Sequence, residues 1–208
     1  VSVKRDLRKL AMEEVLIFEP ADAAAVTQEG SDEDLLSSLS PAERSKVLAL
    51  AARRLAFQVL FELDSRRSPD AAEAEGILAR VRGLEPALGA HVRRIVSGAY
   101  TARRDADTMM EQIAPEWPAH RQAAVDRAIL RLAYFEMVGT KTHPRIVINE
   151  AVELAKAYSS ERAPAFINGV LDKVMKRVSP DHDQQTAPEP SGTDPTMIDE
   201  LNQPGGAS

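Results

Sequence analysis

The stretch V147-INEAVELAKAYSSERAPAFINGVLDK-V174 decides the fold. Its apolar residues recur at steps of three and four, the period of a helix with one buried face. Two such runs are separated by Ser159-Ser160-Glu161-Arg162, and Pro164 stands in the first turn of the second run. A serine before a helix and a proline in its first turn are start signals, so Ser159 or Ser160 is expected to cap this last helix. Asn168 and Gly169 sit side by side inside it. Asn-Gly is a turn dipeptide, and a mid-helix glycine costs about 1 kcal/mol against alanine. Close packing against a neighbouring helix is the offset expected for Gly169. Asn168 and Asn149 are read as ties to backbone groups at neighbouring helix ends.

Working outward, the same period continues. V125-DRAILRLAYFE-M137 reads as a helix ended by Gly139, and Pro144 opens the next. Ser40, Pro41 and Glu43 spell a capping box with proline at the first helical position. They start a long helix whose stripe is Val47, Leu48, Ala51, Leu55, Val59 and Leu63. A shorter helix follows Ser68-Pro69 through Ile77, Leu78 and Val81, with Gly83 as its stop. A third runs from about Pro86 without interruption until Pro115. The segment "EWPAH" (116–120) breaks the chain into halves. Nothing alternates with period two for long, so no sheet is expected. The fold class is all-α: a compact bundle of about six to seven helices in two subdomains, about 44–115 and 116–178.

Charge divides the 208 residues into three parts. Residues 1–43 hold 4 Lys/Arg against 10 Asp/Glu, residues 44–178 hold 22 against 16, and residues 179–208 hold 6 Asp/Glu and no base. The whole-chain charge of −6 thus conceals a basic middle, the part suited to an anionic partner. The acidic N-terminal extension is expected to be partly disordered. The tail 179–208, rich in Pro, Gly and Asp, is expected to be disordered. The charged opening does not resemble a secretory signal, no apolar run reaches a membrane span, and the cytoplasm is the expected compartment.

Chemistry beyond binding has little support. With no cysteine, disulfides, thiolate metal sites and a cysteine nucleophile are excluded. His91, His120, His143 and His182 fall in no ligand spacing, and there is no glycine-rich phosphate loop. No catalytic residue, metal or cofactor is expected. Asp126, beside Arg127 and Arg131, reads as a solvated ion pair. Binding has more. Arg53 and Arg54 lie on the long helix with Phe61 two turns on, and paired arginines near an open ring can hold phosphates and stack an unpaired base. Phe61 is equally suited to a core.

Three segments carry a family resemblance. Residues 147–174 closely resemble the C-terminal signature of the NusB family of bacterial transcription antitermination factors. Val125–Met137 is similar to that family's preceding helix, and R53-RLAFQVLFEL-D64 to its first helix. The resemblance covers about residues 44–178 and is thin between 65 and 115. It implies a two-part all-α fold and a non-enzymatic role. NusB proteins pair with NusE, the small-subunit ribosomal protein that doubles as a transcription factor, and the pair binds single-stranded boxA RNA. That nucleates an antitermination complex on RNA polymerase and supports ribosomal RNA synthesis. Some members form homodimers.

The resemblance implies RNA contact at Arg53, Arg54, Phe61, Glu161, Arg162 and Phe166, and contact with NusE at Asp126. Phe166 reads either as a base-stacking ring or as core. Two rivals stand beside this reading: a helical domain of an rRNA methyltransferase-like protein, and a protein-only helical adaptor. One departure from the family is plain. Ahead of the first helix the family is usually very basic, whereas here the approach holds only Arg44 and Lys46.

Overall fold

The computed structural model describes residues 39–66, 71–80 and 86–179. The expectations for both acidic ends, and for Ser68-Pro69, Val81 and Gly83, fall outside these residues. Among the described residues are seven α-helices and one short 3-10 turn: α1 (Pro41–Asp64), α2 (Ala71–Leu78), α3 (Pro86–Thr101), α4 (Arg103–Ile113), the 3-10 turn (Ala119–Arg121), α5 (Ala124–Gly139), α6 (Pro144–Tyr158) and α7 (Ala163–Val178). No strand occurs among them, as the periodicity requires.

The long α1 begins as its capping box dictates. The Glu43 N–H donates to Ser40 Oγ at 3.3 Å, and the Ser40 N–H donates back to Glu43 Oε2 at 2.9 Å. Its stripe residues Val47, Ala51, Leu55, Val59 and Leu63 are all buried. The expected third helix is instead two. At Ala102 the backbone stays right-handed (φ −77°, ψ 0°), but side chains bond the ladder's carbonyls on either side. Thr101 Oγ1 donates to the Ser97 carbonyl at 2.8 Å, and Arg103 Nη1 donates to the Tyr100 carbonyl at 2.6 Å. Bonding of this kind loosens and bends a helix, and hydrophobic period alone does not reveal it. The redirected α4 packs against both α5 and α7.

Helix α5 is the hub. It touches α1, α3, α4, α6 and α7, and Ala128, Ile129, Leu130, Leu132, Ala133 and Met137 are buried along it. One hydrophobic cluster runs from α1 through α5 to α7, so the break near 115–118 does not divide the core. The glycines that permit close approach are Gly98 and Gly139. A Cβ on Gly98 would lie 2.2 Å from the Phe135 ring, and one on Gly139 2.6 Å. That corrects the expectation for Gly169, which is exposed and has nothing within 4 Å of a Cβ.

Enclosed on so many sides, α5 must match each of its polar groups. Glu136 is 4% exposed and Arg53 9%. Arg53 donates from Nε at 2.9 Å and from Nη2 at 2.7 Å to the Glu136 carboxylate. Burial works against the Arg53 charge, and the adjacent Glu136 carboxylate more than offsets it, so the pKa rises. Arg127 and Arg131, one turn apart, do not pair with Asp126 as expected. Arg127 Nε reaches Asp64 Oδ2 at 2.9 Å. Arg131 reaches Asp64 Oδ1 at 2.7 Å and Asp107 Oδ1 at 2.8 Å. This network joins the end of α1 and the middle of α4 to α5.

Two outcomes follow for stability. Arg53→Ala or Glu136→Ala alone should cost about 3–5 kcal/mol in urea unfolding, because each leaves a buried charge unmatched. The double replacement Arg53→Met with Glu136→Leu should cost far less. Burial of Asp64 alone would raise its carboxyl pKa, but the bonds from Arg127 and Arg131 hold it below the usual aspartate range. Its contribution to stability is complete above the unfolded value of about 3.9 and disappears as pH falls through the lower folded value. Asp64→Asn should therefore flatten the acid limb of a stability-against-pH curve measured by denaturant titration.

Candidate nucleic-acid interface

Helix α7 starts without a side-chain cap. Its N-cap is Arg162, and neither serine acts as expected. Ser159 ends α6 in extended conformation and donates its hydroxyl to Asp126 Oδ1 at 2.6 Å. The Ser160 carbonyl accepts the Ala163 N–H at 3.0 Å. The bond from Ser159 ties the loop 159–162 to the first turn of α5. Asparagine fares no better as a tie: Asn149 Nδ2 reaches only its neighbour Glu150 at 3.2 Å, and Asn168 is exposed.

That tethered loop forms one wall of a cleft of about 600 Å³. The opposite wall is the connection after α4, Ala114 to Trp117, and Asp126, Phe166 and Lys173 also line the space. Phe166 is half-buried and meets Trp117 edge-on, ring centres 6.4 Å apart at 63°. Trp117 is 44% exposed, yet its backbone is fixed. Its N–H donates to the Ala114 carbonyl at 2.9 Å, and its carbonyl accepts from Gln122 Nε2 at 2.9 Å. The Arg121 guanidinium lies over the indole at 5.7 Å. Arg162 and Lys173 are exposed, and neither forms an ion pair among the described residues. Two rings at a corner with uncommitted cations beside them can receive an unstacked base and its phosphates.

The sequence-selected residues divide between two places. Arg162, Phe166 and Asp126 line this cleft, and exposed Glu161 belongs to the same loop. Arg54 and Phe61 lie on the seam of α1 with α6. The Arg54 guanidinium sits 5.4 Å from the centre of the Tyr158 ring. Tyr158 packs on Phe57 at 5.1 Å, and Phe57 stacks on Phe61 at 6.3 Å. Phe61 is 39% exposed, so it lies outside the core with one side resting on buried Phe57. Tyr158 directly precedes the tethered loop, which places the seam and the cleft at opposite ends of four residues. Arg53 belongs to neither place. Its guanidinium is turned inward to Glu136, and in this fold it positions α1 against α5.

Sequence reasoning passed over Trp117, Arg121 and Lys173. Trp117 stood in a segment read only as a helix breaker. The available signal was a tryptophan between Glu116 and Pro118, an aromatic in a polar connection with no helical stripe to bury it. Among the described residues no group of His, Asp and Glu could hold a metal, and no helix is long and apolar enough to cross a membrane.

These features define an all-α binding module with a ring-and-cation cleft. The profile of the NusB family matches residues 50–176, and the chain belongs to that family. The transcription antitermination protein NusB of Rubrobacter xylanophilus is 39% identical over 132 residues, 61% of this chain and 92% of that protein. Its counterpart from a Roseiflexus species is 42% identical over 129 residues, 60% of this chain and 89% of that one. Among solved structures, T. maritima NusB superposes with a TM-score of 0.59 at 28% identity, covering 65% of this chain and 96% of that one. A crystal structure of antitermination factors NusB and NusE in complex with dsRNA gives 0.56 at 26% identity, with 62% and 97% covered.

Removing the loop's tether tests its role. Ser159→Ala should lower stability by about 1.5–3 kcal/mol, the range for a hydrogen bond to a charged group. It should also speed amide exchange selectively in residues 159–163. Unchanged exchange there would show that the bond does not hold the loop.

Proposed function

We propose that this chain is a transcription antitermination factor that binds boxA-type single-stranded RNA together with NusE. In this reading the pair joins the antitermination complex on RNA polymerase in the cytoplasm and supports ribosomal RNA synthesis, and no catalytic step is required. Membership of the NusB family supports it, as do relatives named as antitermination proteins. The observation that carries it is the cleft where Phe166 and Trp117 meet beside uncommitted Arg162 and Lys173. A duplex keeps its bases stacked, whereas a corner of two rings rewards an unstacked base. Single strands are therefore the preferred ligand.

The RNA path runs from this cleft across the loop 159–162 to Arg54 and Phe61. Arg54 supplies charge there because its guanidinium is matched to a ring rather than a carboxylate. Arg53 acts on RNA only through the fold. Asp126 acts on NusE and RNA alike by fixing the loop through Ser159. The weakly basic approach to α1 makes affinity without NusE low, since phosphate contacts dominate binding.

The decisive measurement is fluorescence anisotropy of labelled boxA-type RNA, with and without NusE. Phe166→Ala should weaken binding by about 1–3 kcal/mol, the value of one stacked base. Arg162→Ala should reduce the slope of log affinity against log salt by about 0.7. If the parent protein with NusE prefers neither boxA-type RNA over a scrambled strand nor single strand over duplex, the proposal fails. Binding of NusE without any RNA affinity would favour the protein-only adaptor.

A further inference from the structure

The glycine inside α7 lacks both of the reasons that usually keep one. Its backbone is helical, so no left-handed conformation requires it. Nothing lies within 4 Å of where its Cβ would stand, so no neighbouring helix requires it. Yet a glycine here costs helix stability. The remaining reason lies outside the fold, in what approaches this face of the helix.

Position makes that reason specific. Steps of three and four residues return to one face of a helix, and Arg162, Phe166, Gly169 and Lys173 are separated by four, three and four. Gly169 thus shares a helix face with Phe166 and Lys173 and stands between them, at the open edge of the cleft that those two residues line. Phe166 and Lys173 both line the cleft, and Trp117 closes it opposite. Gly76 in α2 is equally open, but its neighbours along the helix are Glu73 and Glu75. Openness alone therefore does not mark a site, whereas openness between a stacking ring and an uncommitted cation does.

We infer that Gly169 is the close-approach point of a single-nucleotide subsite. The sugar-phosphate of one unpaired nucleotide crosses α7 over Gly169. Its base stacks in the Phe166–Trp117 corner and its phosphate pairs with Lys173. A side chain at 169 would stand where the backbone of the strand passes. This deepens the RNA-binding reading above and rests on it. The favoured occupant is nucleic acid rather than a protein helix, because the glycine is flanked by a ring and a lysine and not by a continuous apolar face.

The test uses the full chain with NusE and a labelled single-stranded boxA-type RNA, and compares Gly169→Ala, Gly169→Gln and Phe166→Ala. Both substitutions at 169 introduce better helix formers into open space, so the melting temperature should rise or hold. RNA affinity should nonetheless fall, about tenfold for Gly169→Gln, the equivalent of one lost charge-assisted contact. Such a divergence between stability and binding cannot come from a structural role. If Gly169→Gln binds RNA within twofold of the parent while Phe166→Ala is impaired, the subsite is overturned and the RNA reading survives. If Phe166→Ala is also unimpaired, the RNA reading of the cleft fails with it. Loss of NusE binding with RNA affinity intact would overturn the subsite in favour of a protein contact at Gly169.

Discussion

Helix α5 is surrounded, and a surrounded helix cannot leave a polar group unmatched. Burying an ionised side chain without a partner costs several kcal/mol, yet α5 carries Asp126, Arg127, Arg131 and Glu136 along its length. Their partners come from three places: Ser159 ahead of α7, Asp64 and Arg53 in α1, and Asp107 in α4. Apolar contacts supply most of the cohesion but little register, since one leucine replaces another at modest cost. The polar matches define where α1, α4 and the loop between α6 and α7 sit along α5.

The same matches position the cleft. Besides Asp64, Arg127 donates to the carbonyls of Ala119 and Gln122, at 2.9 and 3.3 Å. Gln122 in turn holds the Trp117 carbonyl. On the other wall Asp126 holds Ser159. Two consecutive residues of one helix thereby fix both walls of the cleft, Asp126 through its one bond from Ser159 and Arg127 through the carbonyls of Ala119 and Gln122. Rings positioned in this way have little freedom left to lose to any ligand that would stack on them.

Much of the fold could be read from local signals, because those signals act locally. The capping box at Ser40 and Glu43, the prolines at 41, 144 and 164, and the apolar period of α5 all operate within a few residues. The failures were of longer range or finer grain. Arg53 and Arg54 look alike in sequence, but adjacent helical residues point about 100° apart. Only a carboxylate 83 positions away turns one of them inward. The division of the third helix at Ala102 depends on two side-chain bonds to backbone carbonyls that leave the apolar period undisturbed. The glycine at 98 mattered where the one at 169 drew notice, because the ring that needs the space, Phe135, belongs to another helix. At the cleft, Phe166 and Arg162 were recognised through a family signature, while Trp117 had no such signature and needed the fold to bring it into place.

The chain contains a single tryptophan, and it stands on the wall of the cleft with a phenylalanine at its edge and a guanidinium over its face. Its tryptophan emission, excited where tyrosine does not absorb, therefore arises from one location. Its intensity and wavelength register the hydration and stacking of that indole alone, while circular dichroism averages over every helix. Comparing the two during gentle denaturation distinguishes a molecule whose cleft loosens ahead of the bundle from one that melts as a whole, with no label attached.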